Sequence, residues 1–404
     1  MKILLANLAS PANPGDQAIL RGSLKLLREY FSNPDITLVT RAISRRKEYE
    51  KLGCDVIASY PDVDEIGMDF GLKKFMALPR VLKSRAPLRE AVRRADFVFL
   101  AGGGYFYSNK RLFPGLTFYS HFTCINVAKE FGKPVIILPQ SFGPAQAQIA
   151  KNMVRRGMKE ASLVFYRENI SGKWLEALCP DLKDRFVAMP DLALYLNPRD
   201  ILAEDGALEA RDRKVGVTVR PWEVESALLP RYLGSLARAL VRLHSQTGRK
   251  IRIIVQVQDE KRMEGDEAVS QQLFETMAVA LGQDQVELCT THPYFDLPEI
   301  CRLYRDCEFL ISMRLHSAIL AYLMGRPALV VGYQHKSEGV LQTLDLEHLY
   351  LGSFEQLDEN AIVLAAEKMM QDQKTLEDKI RTSLDETRDR IRTIFWERMK
   401  VFGR

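Results

Sequence analysis

The feature that most constrains this chain is a regular alternation of short apolar runs with segments of helical periodicity. Apolar runs at 97–100, 135–138 and 309–311 are each followed by a stretch whose apolar residues recur at helical spacing. Continuous apolar strands separated by helices are typical of parallel sheets that are covered by helices on both faces. The pattern therefore predicts an α/β fold built on parallel sheets.

The length of the chain predicts more than one such sheet. The chain has 404 residues, whereas a single hydrophobic core usually stops growing at roughly 250–300 residues. The alternation is interrupted by a polar, charge-rich stretch at 197–214. We expect an N-terminal Rossmann-like domain at 1–200 and a C-terminal Rossmann-like domain at 212–375. A long charged helix is expected at 376–404, and in layouts of this kind such a helix often returns to the first domain.

Composition argues against several classes of protein. No run approaches the roughly 18 apolar residues of a membrane span, and the first apolar stretch is too short for a signal peptide. The six cysteines contain no Cys-x-x-Cys pair, so neither a zinc site nor a disulfide framework is indicated. A net charge of +5 comes without any nucleic-acid motif. We expect a cytoplasmic protein that binds neither a metal nor nucleic acid.

The most informative segment surrounds Arg314 and His316. A buried run ends at Ile311, and a helix is predicted to begin at Ser317, a favourable N-cap residue. The N-terminus of that helix offers free N–H groups and the positive end of its dipole. Lys336 lies just beyond the next predicted strand. Cationic side chains at one strand edge suit a small molecule that carries both phosphate and carboxylate.

The same positions also have plainer structural interpretations. Arg314 either binds an anion or forms a local salt bridge, and His316 either takes part in chemistry or simply packs. Asp16, at a predicted strand-to-helix turn, is either an N-cap or a contact to an acceptor hydroxyl. Gly103 and Gly104 either let the backbone approach a ligand closely or form a tight turn. The sequence alone leaves these alternatives open.

An ordered set of motifs resembles the polysaccharide pyruvyl transferase family. The resemblance runs from about residue 3 to about residue 350, in family order. It is carried by the segments Asn13-Pro14-Gly15-Asp16-Gln17-Ala18-Ile19-Leu20, Ala101-Gly102-Gly103-Gly104, Pro139-Gln140-Ser141-Phe142-Gly143-Pro144, Arg167-Glu168, Pro190-Asp191, Val217-Thr218-Val219-Arg220-Pro221-Trp222, Met313-Arg314-Leu315-His316-Ser317-Ala318 and Gly325-Arg326-Pro327.

This resemblance implies both a fold and a binding site. The fold is GT-B-like, with two Rossmann-like domains facing a cleft that holds phosphoenolpyruvate. The implied donor-binding residues are Arg314, Leu315, His316, Lys336, Arg167 and Arg220. Gln17 departs from the family, which usually has an acid after Asp16, so no catalytic role is carried over to position 17.

We therefore expect a transferase that moves the enolpyruvyl unit of phosphoenolpyruvate onto a sugar to form a pyruvate ketal. The donor is an anion of high charge, and the arginines and Lys336 supply counter-charges without a metal or another cofactor. His316 is the candidate for proton transfer, because histidine titrates near neutral pH, and Asp16 is the second catalytic candidate. Alternatively, His316 only donates a hydrogen bond to the phosphate.

Segment 71–94 is strongly basic, with eight basic residues against one acid and apolar residues between them. It either docks on an anionic membrane or forms a solvated helical face that packs by its apolar side. Docking would place the protein at the inner face of the cell membrane, near a lipid-linked acceptor. The expected partners are phosphoenolpyruvate and a sugar or lipid-linked oligosaccharide. The sequence does not indicate an oligomeric state.

Two rival functions share much of this pattern. A GT-B glycosyltransferase with a nucleotide-sugar donor would normally need a carboxylate for the ribose and a Gly-rich diphosphate loop. Here the strand-end cluster is cationic, and Glu338 is the only acid near it in sequence. A catalytically idle scaffold protein is the other rival. The intact Arg314, His316 and Lys336 argue against it.

Overall fold

The computed structural model describes residues 1–58, 86–112, 114–202, 214–221, 228–258, 265–332, 336–353 and 357–403. The side chains of residues 116, 117, 228 and 336 lie outside this description. The chain divides into two compact units. The first comprises Met1–Pro11, Ile19–Leu192 and Ile391–Arg404, and the second comprises Ala12–Ala18 and Ala193–Arg390.

Strands and helices alternate along the first half of the chain. In chain order the elements are β1 (Lys2–Ala6), α1 (Pro14–Phe31), β2 (Asp35–Thr40), α2 (Arg46–Glu50), β3 (Asp55–Ala58), α3 (containing 86–94), β4 (Phe97–Leu100), β5 (Gly103–Ser108), α4 (Leu116–Ser120), α5 (Thr123–Glu130), β6 (Val135–Ala145), α6 (Gln148–Glu160), β7 (Leu163–Tyr166), α7 (Asn169–Leu178) and β8 (Phe186–Ala188).

The described strands of the first unit form a parallel sheet of eight strands. Their order is β3-β2-β1-β4-β6-β7-β8, and β5 pairs with β6 as well. The direction of winding reverses between β1 and β4, which pair with Ile3 opposite Phe97. Crevices at the carboxyl ends of two such strands are the usual ligand sites of open parallel sheets.

The second half of the chain continues the alternation. Its elements are α8 (Pro198–Leu202), β9 (Lys214–Thr218), α9 (Leu228–Thr247), β10 (Lys250–Ile254), α10 (Glu267–Leu281), β11 (Val286–Cys289), α11 (Leu297–Arg305), β12 (Phe309–Ser312), α12 (Leu315–Leu323), β13 (Ala328–Gly332), α13 (Lys336–Thr343), β14 (Tyr350–Ser353), α14 (Glu359–Gln371) and α15 (Gln373–Met399).

The second unit contains its own parallel sheet, six-stranded over the residues described. The order β11-β10-β9-β12-β13-β14 reverses between β9 and β12. These two strands pair in register, with Thr218 opposite Ser312 at their carboxyl ends. Their inward residues are fully buried, including Val215, Val217 and Leu310. The predicted α/β class with two parallel-sheet units is confirmed.

Helix α12 shows why this fold forms around its sequence. It is apolar on all sides, which is typical of a helix buried on every face, and every residue except His316 is buried. The helix ends at Leu323, and Gly325 follows the C-cap residue with a φ of +70°, a conformation that favours glycine. Arg326 then donates from Nε to the carbonyl oxygen of Arg305 at 3.0 Å and so caps α11.

Two local predictions were wrong. The helix after β12 begins at Leu315 rather than Ser317, and Arg314 occupies the N-cap position in an extended conformation. The segment after Gly102 is strand β5, which was not predicted, and Gly103 lies opposite Gln140 of β6. In the described part of the chain, no helix combines the length and the apolar character needed to cross a membrane.

Most of the basic segment predicted at 71–94 lies outside the described residues. Residues 86–94, within α3, are described, and their arginines form ion pairs with nearby acids. Arg89 pairs with Glu130, while Arg93 and Arg94 both pair with Glu90. Arg93 and Arg94 lower the pKa of Glu90 to about 2. Membrane docking through this segment stays a prediction.

Candidate functional site

The candidate site lies at the carboxyl edge of the second sheet, where the strand order reverses. Arg220 follows β9 by two residues and Arg314 follows β12 by two residues. Because Thr218 and Ser312 are register partners, the two chains leave the sheet side by side. The N–H of Met313 donates to the carbonyl oxygen of Thr218 at 3.1 Å and extends the pairing by one step. The two arginines therefore start from adjacent backbone positions.

A buried cluster of hydroxyl groups shapes the turn that carries Arg314. The Oγ atoms of Ser312 and Ser317 each lie 2.7 Å from the carbonyl oxygen of Arg314. They lie 2.5 Å from each other, and Ser317 Oγ lies 2.8 Å from Thr218 Oγ1. Ser317 is thus a clamp on the turn rather than the predicted N-cap. Leaving one such buried hydroxyl without its partner costs about 1–3 kcal/mol.

The side chain of Arg314 is held by Asp266, which occupies the N-cap position of α10. The Nε and Nη2 atoms of Arg314 donate to Oδ2 and Oδ1 of Asp266, each at 2.6 Å. Asp266 is 0% exposed. Its Oδ2 also accepts the N–H of Val257 at 3.1 Å, and its own N–H donates to the carbonyl oxygen of Val257. Fork-to-fork pairs of this kind are strong and directional.

Arg220 acts on the same carboxyl group. Burial raises the pKa of Asp266, and the positive charges of Arg314 and then Arg220 oppose that rise. Two arginines from neighbouring strand ends thus act electrostatically on one buried carboxyl group. Sequence analysis singled out both arginines but missed Asp266, which lies 48 residues before Arg314.

His316 packs against the first turn of α1. A Cβ atom added to Gly15 would lie 2.4 Å from Cγ of His316, so the backbone of Gly15 contacts the imidazole directly. Asp16 follows in that turn and is half-buried. The N–H of Gly15 donates to Oδ1 of Asn13 at 3.0 Å, which shapes the entry to the turn. The second unit therefore brings the segments of both predicted catalytic residues together.

Gln17 has a structural partner that the sequence did not reveal. It is 4% exposed. Its Nε2 donates to Oδ1 of Asp296 at 2.9 Å, and its Oε1 accepts the N–H of Leu297 at 3.1 Å. Thr291 also donates to Asp296. Burial raises the pKa of Asp296, and a second acid at position 17 would raise it further. An amide that donates and accepts suits this position better.

The remaining predicted donor residues are placed as follows. Leu315 is buried at the start of α12. Lys336 is the first residue of α13, and its side chain lies outside the described residues. Gly103 and Gly104 open β5 of the first unit, and Gly103 has a φ of +144°. The roles assigned to these residues stay predictions.

Arg167 belongs to a buried polar network of the first unit. The residue is 8% exposed. Its Nη1 lies 2.5 Å from Oδ2 of Asp191, and its Nε donates to Oγ of Ser141 at 2.8 Å. Glu168 accepts from Ser141 at 3.0 Å and also from Ser171. The segments 139–144, 167–168 and 190–191, which were singled out separately, thus meet in one network formed by the second half of β6 and the residues after β7 and β8.

A second polar cluster at the carboxyl edge of the first sheet was missed by the sequence analysis. Asn7 follows β1 and donates from Nδ2 to the carbonyl oxygen of His121 at 2.9 Å. Arg41 follows β2 and donates from Nη2 to Nδ1 of His121 at 2.8 Å. Burial and the charge of Arg41 lower the pKa of His121 to about 3, so the ring is neutral. Tyr105 packs on that ring at 4.6 Å. Polar residues directly after two apolar strands were the available signal.

No group of three or more histidine, cysteine, aspartate or glutamate side chains is placed to hold a metal ion among the residues described. The candidate site of the second unit instead contains Arg314, which is paired with Asp266, and the hydroxyl of Ser317 on the Arg314 backbone.

Comparison with known proteins gives the family. The profile of the polysaccharide pyruvyl transferase family matches residues 13–335. The chain belongs to this family. It is also 22% identical to the amylovoran biosynthesis protein AmsJ of Erwinia amylovora, over 96% of each chain. Family membership makes the protein a transferase, and the resemblance drawn from the sequence motifs is confirmed.

Solved structures with the same fold support the predicted fold class. A glycosyltransferase from Rickettsia africae aligns with a TM-score of 0.60 at 12% identity, covering 100% of this chain and 98% of that one. A putative UDP-N-acetylglucosamine 2-epimerase from Listeria monocytogenes aligns with a TM-score of 0.59 at 11% identity, covering 94% and 90%. At such identities the likeness shows the fold alone, which is GT-B-like as predicted.

Proposed function

We propose that this polysaccharide pyruvyl transferase takes phosphoenolpyruvate as its donor and forms a pyruvate ketal on a sugar of a surface polysaccharide. The observation that carries the proposal is that Arg220 and Arg314 leave the second sheet side by side at its strand-order reversal, with His316 two residues after Arg314. The name of the relative AmsJ, which refers to amylovoran biosynthesis, supports a polysaccharide as the acceptor.

Donor binding follows from charge and geometry. Phosphoenolpyruvate presents a phosphate and a carboxylate close together, and a guanidinium group can bind either one through two parallel hydrogen bonds. Arg314 and Arg220 supply this chemistry in the second unit, and Lys336 adds a point charge from the start of α13. The N-terminus of α12, which begins at Leu315, contributes the positive end of a helix dipole.

The proposed reaction needs one proton donor and two sugar hydroxyl groups. His316 protonates the methylene carbon of the donor, and the adjacent carbon becomes oxocarbenium-like. One sugar hydroxyl attacks this carbon and loses its proton, and phosphate departs as its carbon–oxygen bond breaks. The second hydroxyl then attacks the same carbon and passes its proton to the departed phosphate, which closes the ketal. Asp16, next to the glycine that contacts His316, is the proposed base for an acceptor hydroxyl.

The acceptor side of the proposal lies in the first unit. Gly103 and Gly104 open β5 next to the cluster of Asn7, Arg41, Tyr105 and His121 at the sheet edge. Side-chain amides, a phenol and a neutral imidazole suit the hydroxyl groups of a sugar, since each can donate or accept hydrogen bonds. The acceptor is proposed to be a sugar or a lipid-linked oligosaccharide.

The decisive experiment measures phosphate release from phosphoenolpyruvate across a panel of hexose and N-acetylhexosamine acceptors. We expect acceptor-dependent release and a product that is heavier by the pyruvate ketal group. Thermal shift with phosphoenolpyruvate and with a nucleoside diphosphate serves as the companion measurement, because a ligand raises the melting temperature of the protein that binds it. Stabilisation by the nucleoside diphosphate alone, without phosphate release, would replace the proposal with a nucleotide-sugar transferase.

A further inference from the structure

Asp266 occupies one defined edge of the Arg314 guanidinium. Its two carboxylate oxygens accept from Nε and Nη2, each at 2.6 Å. The side chain of Arg314 is 14% exposed, whereas that of Asp266 is 0% exposed. A ligand can therefore reach the arginine but has no access to the aspartate.

The surroundings of Asp266 fix it from two directions. The N–H of Val257, after β10, donates to Oδ2 at 3.1 Å, and the N–H of Asp266 donates back to the carbonyl oxygen of Val257 at 2.7 Å. This reciprocal pair fastens the start of α10 to the end of β10. The carboxylate is thus a rigid anchor, and the long side chain of Arg314 is ordered by it.

A carboxylate beside an anion-binding site repels the anion, so it must make a contribution to binding that outweighs this repulsion. Here its charge is matched by Arg314 and further offset by Arg220. What it contributes is orientation, since an arginine gripped through Nε and Nη2 presents its other end in a single direction. A lysine at position 314 could not be oriented in this way, because an ammonium group is a point charge.

The second unit contains a matched pair at the opposite edge of the same strand. Glu308 immediately precedes β12, and its carboxylate accepts from Nε and Nη2 of Arg249 at 2.5 and 2.7 Å. The chemistry and the two-point geometry are the same as in the Arg314–Asp266 pair. Only the pair at the carboxyl edge lies beside His316 and Arg220, so the other pair is a control for stability.

We propose that Asp266 is a positioning residue that grips Arg314 by its Nε and Nη2 edge and so fixes the orientation in which the guanidinium meets the anionic donor. The inference rests on the proposed function for the identity of that donor. It assigns a specific task to a residue that lies outside the family motifs and does not itself touch substrate.

The first test compares Asp266→Asn with Glu308→Gln. We expect Asp266→Asn to raise the KM for phosphoenolpyruvate on the order of tenfold or more, with a much smaller change in kcat, because a misdirected guanidinium binds the donor poorly. Glu308→Gln should lower the melting temperature without changing KM. Equal KM values for Asp266→Asn and wild type would overturn the inference, as would a lower KM from an arginine freed of its counter-ion.

A double-variant comparison asks whether Asp266 acts through Arg314. Arg314→Lys cannot be gripped at two points, so adding Asp266→Asn to it should weaken phosphoenolpyruvate binding no further in calorimetry. Full additivity of the two effects would show that Asp266 acts independently of Arg314, and the inference would fall. Inorganic phosphate binding is measured in the same variants as a readout that needs no turnover.

These measurements separate the inference from the proposed function. In one outcome the wild type binds phosphate without turning over phosphoenolpyruvate, and Asp266→Asn weakens that phosphate binding. This pair of results would reject the proposed function and keep the positioning role. Turnover that is insensitive to Asp266→Asn would keep the function and reject the role. Absence of both phosphate and phosphoenolpyruvate binding in the wild type would reject both.

A measurement on the wild type covers the case in which Asp266→Asn does not fold. The Nε–H proton of Arg314, identified in NMR spectra by its absence from Arg314→Lys, should exchange slowly with solvent because Asp266 accepts it. We expect that protection to persist when phosphoenolpyruvate is added. Its loss on ligand addition would mean that the arginine leaves Asp266 for the donor, and the positioning role would be rejected.

Discussion

His316 differs in burial from every other residue of its helix. It is partly buried in the first turn of α12, a helix whose other residues are all buried. The backbone of Gly15 covers one side of its ring. A partly open imidazole in a rigid, apolar setting keeps a fixed direction, which proton transfer requires.

Replacing His316 with alanine tests its proposed role. We expect His316→Ala to lower kcat by roughly 10²–10⁴-fold, the usual contribution of a general acid or base, and to change phosphoenolpyruvate affinity much less. Steady-state phosphate release and calorimetry measure the two quantities. His348→Ala, at an exposed position before β14, is the matched control. An unchanged kcat in His316→Ala would leave the histidine with phosphate binding alone.

At this scale, sequence motifs identified residues but not their partners. Arg314, His316 and Arg220 stood out because they follow strands, and a residue after a strand is placed at a sheet edge by the strand itself. Asp266 and Asp296 follow no family motif, and their contacts with Arg314 and Gln17 join distant segments of the chain. No local pattern records such contacts, because they form only after the sheet has assembled.

Among the elements, the first turn of α1 joins two helices of the second unit. Gly15 contacts His316 of α12, and Gln17 ties the turn to the N-terminus of α11 through Asp296 and Leu297. Both contacts need particular side chains, one with no Cβ atom and one with a donor and an acceptor. The glycine and the glutamine of this short turn are therefore explained by packing and hydrogen bonding.

Gly15→Ala tests the contact between α1 and α12. The added methyl group would lie 2.4 Å from Cγ of His316 and 2.5 Å from its Cβ, so the imidazole must move. We expect a kcat lowered by on the order of tenfold or more, since small displacements of reacting groups have large effects on rate, together with a lower melting temperature.

Gly234→Ala is the control for the glycine substitution. Gly234 lies within α9, and an added methyl group would meet only the flexible end of Arg238 at 3.3 Å. Alanine favours a helix over glycine by up to about 1 kcal/mol, so this variant should keep its activity and its stability. Wild-type kcat in Gly15→Ala would show that the histidine position does not depend on α1.

Gln17→Glu tests the contact between α1 and α11 through pH. Burial already raises the pKa of Asp296, and a neighbouring carboxyl group raises the pKa of the pair further. The folded protein then binds more protons than the unfolded one, so the free energy of unfolding falls as the pH rises through that raised pKa. We expect a loss on the order of 2 kcal/mol near pH 8 and a smaller loss near pH 5.

Melting temperatures of Gln17→Glu and wild type across this pH range measure the effect. Gln272→Glu, at an exposed position of α10, carries the same change of charge and should follow the wild type at each pH. A destabilisation of Gln17→Glu that is constant with pH would show that the two carboxyl groups do not share a proton.

Element boundaries were predicted well where a strand or helix has a strong apolar pattern. Strands β4 and β12 fall where the apolar runs at 97–100 and 309–311 placed them. Strand β5 was missed because Gly103 and Gly104 favour a turn, and it forms because β6 continues beyond Leu138 and offers a partner. The start of α12 was placed at Ser317 by its capping propensity, yet its hydroxyl bonds the preceding turn instead.

For the whole molecule, the open question from sequence is whether the basic segment binds a membrane. The described arginines of this segment pair with Glu90 and Glu130, so the net charge for docking comes mainly from the basic residues at 71–85, outside the described residues. We expect Lys73→Glu combined with Lys74→Glu to weaken co-sedimentation with anionic vesicles by about 1 kcal/mol per removed charge or more.

The control for this experiment reverses two other exposed lysines. Lys173→Glu combined with Lys183→Glu makes the same change in net charge at α7 and just after it, away from the basic segment. This variant should sediment with vesicles as the wild type does. Wild-type protein that stays in solution with anionic vesicles would remove membrane docking altogether.

By itself the sequence determined the α/β class, the parallel sheets, the family and the positions of most strand-end residues. These follow from periodicity and from short motifs, whose information is local. Only the tertiary structure decided that residues 12–18 belong with the second sheet, that Arg314 is gripped by Asp266, and that Gln17 binds Asp296. Such pairings form between segments that are far apart in the sequence and meet only when whole sheets pack. No single segment therefore contains the information that predicts them.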